Sequence, residues 1–423
     1  MKQQHPPVPY NEILQWPKTE LHAHLNGCIR EETLFDLAKE RNVILNEALF
    51  SQNPSSAVVA SNENDDHAPH MYNVSPRSLQ DCFEMFAEIP KAVDDLPSLK
   101  RITQEALADF AAHHVAYLEI RTTPKALLIQ HGRPEIADKR TYIETVMQVT
   151  KEFEQQEEER YTRELQNQPQ STSVASPAPA IRLPLVCRLL IAIDRGRSVV
   201  EATENVELAL ELSQSHDTIV GMDMGGNPTK QDFRLFRPLF QRVRDAGLQI
   251  TIHCAEIPCA ESVLADQEDI SSELVRAREE LEAVLDFRPD RLGHALLLPL
   301  DLKERLVQER IPIESCPTSN IMTLELASGK ACGNLIHALG EYHPTLSKWM
   351  AVDHYPLAIC TDDPGVFCTT ATQELLLVQH GLQVDPDDLQ TKVYESLDLA
   401  FCDDTTKQQI RSRWKDSHNS TKV

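Results

Sequence analysis

No C-x-x-C pair occurs among the 10 cysteines of this 423-residue chain. They stand singly within apparent strands and helices, as Cys187, Cys316 and Cys360 do, and are expected to be reduced and mostly buried, the usage of a cytosolic protein. No apolar run is long enough to span a membrane. The opening MKQQHPPVPYNEILQWPK also lacks the apolar core of a signal peptide, so the expected location is cytoplasmic, with no membrane partner. There is no excess of positive charge either: the formal net charge is −24, which argues against nucleic acid as a partner because phosphates would be repelled. A small anionic substrate remains compatible, since the local charge of a pocket can oppose the net charge. Gly225-Gly226 lacks the spacing of a dinucleotide loop, and no P-C-x-x-C signature of the cytidine and tRNA-type zinc deaminases is present.

What is present is an alternation of β and α patterns. Prolines 6, 7, 9 and 17 predict an extended arm over residues 1–18. Strands are expected at Thr19–His24, Val115–Arg121, Leu185–Ile193, Ile219–Met224, Leu248–His253, Arg291–His294, Ile311–Cys316 and Leu357–Thr361. Helical spacing separates them, for example at Glu31–Arg41, Thr141–Arg163, Val199–Ser213 and Arg234–Ala246, and the chain after Ala371 is mostly helical. Two polar, aperiodic stretches read as low-complexity insertions, 51–76 as disordered or lid-like and 164–180 as a disordered linker that protrudes and carries no chemistry. Eight such units predict an α/β fold, a closed (β/α)8 TIM barrel of the metal-dependent hydrolase type with extra helices. It is expected as a single domain over 1–423, with its core over about 17–415.

In such barrels chemistry sits at the C-terminal ends of the strands, and the polar residues fall there. His22 and His24 close the first strand, two residues apart and so on one face. Asp194 closes the third and Gly226 follows the fourth. His253 closes the fifth with Glu256 three residues on, His294 closes the sixth, Ser315–Asn320 follows the seventh, and Asp362-Asp363 closes the eighth. Each has an ordinary structural reading alone: a strand-end histidine, a helix N-terminal carboxylate, an Asp-Pro-Gly turn. Their joint placement on one rim does not. Zinc needs neutral imidazoles, a carboxylate and one open position, and His22, His24, His253 and Asp362 supply the ligands for one ion per chain. The ligand types favour zinc among divalent metals, and zinc would bring the pKa of bound water towards about 7. Glu256 is the candidate acid, and His294 a base or an electrostatic partner of the attacking hydroxide.

The ordered motifs T-E-L-H-A-H-L-N-G, H-C-A-E, R-L-G-H-A, S-C-P-T-S-N and T-D-D-P-G-V-F resemble the adenosine deaminase family of metal-dependent hydrolases. The resemblance runs from about Pro17 to the C-terminal helices, excluding the two insertions. It implies zinc on His22, His24, His253 and Asp362, proton donation by Glu256 to purine N1, and hydroxide attack at C6 steadied by His294. It further implies contact of Asp363 with N7 and of the Gly226 N–H with N3. Within the family the chain is similar to the adenosine deaminase-like branch, the N6-methyl-AMP deaminases. Asn26 stands where true adenosine deaminases carry an aspartate near the ribose 5′ position, a change that would relieve repulsion of a phosphate. The segments E-I-R-T-T-P-K (Glu119–Lys125) and I-A-I-D-R (Ile191–Arg195) also resemble that branch.

The substrate set implied is therefore His24, Asn26, Thr122, Thr123, Pro124, Lys125, Asp194, Gly226 and Asp363. Lys125 keeps the branch's positive charge without its bidentate fork, and Pro90 replaces a histidine that the branch can carry. The leading expectation is a zinc-dependent hydrolase converting N6-methyl-AMP to IMP and methylamine, acting on a purine nucleotide or nucleoside as a monomer. An adenosine or adenine deaminase releasing ammonia is the alternative within the enzyme class, and a catalytically silent nucleoside-binding barrel the alternative outside it.

Overall fold

Eight largely buried runs form the parallel strands β1 (Lys18–His24), β2 (Val115–Thr122), β3 (Val186–Asp194), β4 (Ile219–Gly225), β5 (Gln249–Cys254), β6 (Arg291–His294), β7 (Ile313–Ser315) and β8 (Leu357–Ile359). They are paired in sequence order from β1 to β8. This computed structural model describes residues 8–50, 77–167, 181–258, 272–328 and 333–419. The barrel closes by a single bridge, Ala23 with Asp362. The Asp362 N–H donates to the His22 carbonyl at 2.8 Å and the His24 N–H to the Asp362 carbonyl at 3.1 Å. Closure of the barrel and assembly of the histidine–aspartate cluster are thus the same event in the backbone.

Side chains alternate along each strand, and the alternation here separates two kinds of interior. Leu118, Ile120, Met222, Met224, Ile250 and Ile252 are buried apolar residues. Their alternates Glu119, Arg121, Asp223 and Thr251, with Arg291 and Glu314 from β6 and β7, show no exposure at all and form one hydrogen-bonded cluster inside the barrel. Most barrels of this type fill the interior with branched aliphatics; this one holds a charged network there.

The helices expected from periodicity are present with small changes of end, such as Val199–Ser213, whose Ser198 and Glu201 form a capping box. Two expectations are corrected, and one stretch for which none was stated is helical. The amino-terminal arm is not extended throughout: Tyr10–Gln15 is a helix with Ile13 buried. Its prolines flank the turn, and a proline just before a first turn removes no helical hydrogen bond. The long helix before β3 spans Lys139–Asn167, so residues 164–167, expected in an insertion, are helical. Between β7 and β8, helices Pro317–Thr323, Leu335–Tyr342 and Leu346–Ala351 occupy a stretch in which periodicity had shown no helix; they are too short for a clear 3.6-residue pattern. Residues 51–76 and 168–180 lie outside the described residues. The described cysteines are all free, and all but Cys368 are buried. No helix among the described residues is long and apolar enough to cross a membrane.

Candidate active site

The strand ends deliver their side chains through strained backbone. Ala255, His294, Ala295 and Asp362 have φ of 60°, 63°, 51° and 65°, a left-handed region that non-glycine residues rarely adopt and that costs of order 1–3 kcal/mol each. At these points the chain turns off the ends of β5, β6 and β8 and leaves His294 and Asp362 facing the barrel mouth. Gly27 serves the same end: a Cβ there would lie 1.7 Å from Asp363 Oδ1, so only glycine lets the Asp363 carboxyl sit against the turn after β1. Gly226, at φ +88°, brings its backbone against Asp194, where a Cβ would meet Oδ1 at 2.2 Å.

His22, His24, His253 and Asp362 converge. His22 Nε2 and His24 Nε2 each lie 3.4 Å from Asp362 Oδ1, and His24 Nε2 lies 3.1 Å from His253 Nε2. The ligand atoms of His22, His253, His294 and Asp362 all fall within 4.8 Å of one another, and His24 forms overlapping groups with Asp223 and His253 and with Asp362 and Asp363. His22 Nε2 is buried and has no hydrogen-bond partner. An orphaned imidazole nitrogen amid three other donors fits a divalent metal of the zinc type and is otherwise costly.

The far nitrogens of His22 and His253 are tied down. His22 Nδ1 lies 2.6 Å from Glu314 Oε2, and His253 Nδ1 lies 3.1 Å from Asp223 Oδ1. A carboxylate on Nδ1 fixes the tautomer that leaves Nε2 free for a metal. Arg121 donates to both carboxylates, at 2.9 Å to Glu314 and 3.2 Å to Asp223. Arg291 donates from Nε to Glu314 at 2.6 Å and binds Glu119 with its other edge. Burial alone would raise the carboxyls of Glu314 and Asp223. The guanidiniums of Arg121 and Arg291 around Glu314, and His253 and Arg121 around Asp223, outweigh it and hold both low. Burial, with the neighbouring imidazoles, lowers His24 well below the usual range, so its ring is neutral as a metal ligand must be.

Glu256 follows β5 in an irregular segment, with Oε1 3.7 Å from His294 Nε2. His294 Nε2 is also 4.0 Å from Asp362 Oδ2, which accepts from Ser319 Oγ at 2.7 Å. Asp363 is buried with Oδ1 unpartnered, and burial together with the adjacent Asp362 pushes its carboxyl well up.

Above these groups lies a cavity of about 610 Å³, inside the roughly 300–1,000 Å³ range of small-molecule sites. His24, Asn26, Thr122, Thr123, Pro124, Lys125, Asp194, Gly226, His253, Glu256, His294, Asp362 and Asp363 all line it, so the residues expected at the site face one space; His22 lies beneath. Individual roles differ. The Thr122 hydroxyl is engaged by Tyr142 at 2.8 Å. Asp194 Oδ1 accepts from the Gly196 N–H at 2.8 Å. Asn26 Oδ1 is buried without a partner. Lys125 has no ion-pair partner among the described residues, and burial, then the neighbouring Arg197, brings its amine down to about 8.

Sequence reasoning missed the floor: Arg121, Asp223, Arg291 and Glu314. Their one signal was a charge inside an apolar strand, as in L-E-I-R and V-G-M-D-M. It also missed Lys139, Arg197 and Lys230 at the cavity wall, whose positions in surface segments give no signal.

Comparison with known proteins gives the family. The adenosine deaminase family matches residues 17–417. The chain is 33% identical over 403 residues to the N6-mAMP deaminase of Arabidopsis thaliana, covering 94% of this chain and 96% of that protein. It is 28% identical over 412 residues to the N6-methyl-AMP deaminase of Homo sapiens, covering 96% and 93%. Among solved structures, Arabidopsis N6-mAMP deaminase superposes with a TM-score of 0.70 at 31% identity, covering 96% of this chain and 99% of that one. Arabidopsis ADAL complexed with IMP gives 0.68 at 30% identity, covering 97% and 99%.

Proposed function

From the premise that the chain belongs to the adenosine deaminase family, we propose that it hydrolyses the C6–N bond of a 6-aminopurine 5′-monophosphate, with N6-methyl-AMP giving IMP and methylamine. The observation that carries the nucleotide reading is Lys125. It is a half-buried cation at the cavity wall with no carboxylate partner among the described residues, beside Arg197, in a chain of net charge −24. A phosphate is the counter-charge that such a lysine lacks. The uncharged Asn26 on the same wall supports it, since a carboxylate there would repel the phosphate.

In this reading His22, His24, His253 and Asp362 hold one zinc ion, which when bound supplies a Lewis acid that brings the pKa of water near 7. The chain's own groups do the rest. Asp363 and the Gly226 N–H hold the purine at N7 and N3. Glu256 gives a proton to N1 as the water oxygen adds to C6, and the first proton lost by that water restores Glu256. The oxygen's remaining proton passes to the exocyclic nitrogen, and methylamine leaves as the 6-oxo group forms. His294 faces the incoming oxygen and steadies its charge.

The test is turnover of N6-methyl-AMP, AMP and adenosine side by side, with Glu256→Ala as control. IMP formed selectively from N6-methyl-AMP, and lost by more than ~100-fold in the control, is the expected result. Preference for adenosine would overturn the nucleotide reading and leave the deaminase chemistry standing. Full zinc content with no turnover on any of the three would leave a nucleoside-binding barrel in its place.

A further inference from the structure

His343 takes no part in the reaction described above, yet its ring decides a question that heavy-atom positions around His294 leave open. It is buried, 8% exposed, where helix Leu335–Tyr342 ends and helix Leu346–Ala351 begins. The Leu346 N–H donates to His343 Nδ1 at 3.1 Å, and the Thr345 N–H approaches the same atom at 3.4 Å. An imidazole nitrogen that accepts a hydrogen bond carries no proton. Burial brings the His343 pKa down to about 3, so the ring is neutral at ordinary pH and its one proton is on Nε2.

That Nε2 lies 3.3 Å from Asn320 Nδ2, and Asn320 Oδ1 lies 3.0 Å from Nδ1 of His294. Placed so, the amide NH₂ meets the N–H of His343, two donors face to face; a half-turn of the carboxamide exchanges its oxygen and nitrogen and leaves the rest of the side chain in place. The N–H of His343 requires the oxygen on its side. The NH₂ group is thereby turned to His294, whose Nδ1 accepts. On the other edge of the His294 ring, Nε2 faces two carboxylates, Glu256 Oε1 at 3.7 Å and Asp362 Oδ2 at 4.0 Å. An oxygen of either can accept from an N–H there, so this edge of the ring is compatible with the same tautomer.

We propose that His343 and Asn320 are positioning residues that hold His294 as the Nε2–H tautomer, so that His294 donates a hydrogen bond to the attacking oxygen and takes no proton from it. The two protons the chemistry moves from water then pass through Glu256 and to the departing amine, and His294 carries neither. The catalytic half of this statement rests on the function proposed above; the tautomer does not.

The experiment is a two-bond ¹H–¹⁵N correlation spectrum of zinc-loaded full-length protein labelled with ¹⁵N-histidine, which shows which ring nitrogen of each histidine bears hydrogen. The expected pattern for both His294 and His343 is a bare Nδ1 and a protonated Nε2. Asn320→Asp, whose carboxylate only accepts, should place a proton on His294 Nδ1. His343→Gln, whose amide can still donate to Asn320, should leave His294 as in the wild type. A wild-type His294 with a protonated Nδ1 and a bare Nε2 overturns the proposal. Neutron diffraction from deuterium-exchanged crystals of the wild-type protein reads the same positions and decides the matter if either variant fails to fold. A wild-type enzyme inactive on every 6-aminopurine would refute the function proposed above, and the tautomer would still be read by the same spectrum.

Discussion

The floor of the site and its mouth are built on opposite terms. On the floor, the five charged side chains Glu119, Arg121, Asp223, Arg291 and Glu314 are all fully buried and mutually bonded. Glu314 alone receives His22, Arg121, Arg291 and Thr251. At the mouth, among the described residues, Arg197 is 65% exposed with Asp194 at 3.5 Å as its ion-pair partner, and Lys125 has none. A buried ion pair does not stabilise a fold by much against an apolar replacement, but removing one partner costs several kcal/mol. The floor is therefore rigid and intolerant, suited to holding imidazoles in one geometry. The mouth leaves its charges unspent, suited to a ligand that brings the counter-charge.

That contrast can be broken in order of expected effect. Glu314→Ala strips the partner from two buried guanidiniums and from His22. Urea unfolding should show a loss of about 3–5 kcal/mol with metal content below one per chain, whereas Arg197→Ala should move stability by less than about 0.5 kcal/mol. Equal losses would erase the distinction. Removing metal with a chelator should lower stability by roughly 3 kcal/mol if metal had been present near a hundred times its Kd; readded zinc should restore the melting temperature, and no change on stripping would count against a bound ion.

Glu374 adds a pH-dependent effect at the edge of the floor. Burial raises its pKa from 4.5 to about 7, although Thr318 and Thr369 donate to it. The folded state thus holds a proton that the unfolded state releases above about 4.5, and stability should fall as pH rises from there to 7. Glu374→Gln should flatten that slope, by up to about 3 kcal/mol across the window; an unchanged slope would place the titration elsewhere. Smallest, Asn26→Asp at the mouth should shift the kcat/KM ratio of nucleotide to nucleoside about tenfold towards the nucleoside, with melting temperature nearly constant.

The histidine–aspartate cluster was legible in the sequence because its residues stand at strand ends, where β periodicity stops and a histidine or aspartate is conspicuous; of the mouth, Lys125 was legible and Arg197 was not. His22, His24, His253 and Asp362 could be placed on one rim by counting strands. The floor was not legible: Glu314 and Arg291 are ordinary charged residues until a closed barrel brings β6 and β7 beside β1 and β2, and no local pattern encodes that meeting. The helix Tyr10–Gln15 escaped notice because the surrounding prolines masked a short turn that tertiary burial of Ile13 completes. The His343–Asn320–His294 relay joins residues separated by 23 and 26 positions, and no periodicity links them.

The most direct test of the division between floor and mouth is kcat/KM of wild type and Lys125→Ala on N6-methyl-AMP and on N6-methyladenosine. If Lys125 reads the phosphate while the floor runs the chemistry, the variant should lose about 10- to 100-fold on the nucleotide and stay within about twofold on the nucleoside. Equal losses on both substrates would contradict the account, because Lys125 would then serve the reacting centre or the fold and not the phosphate.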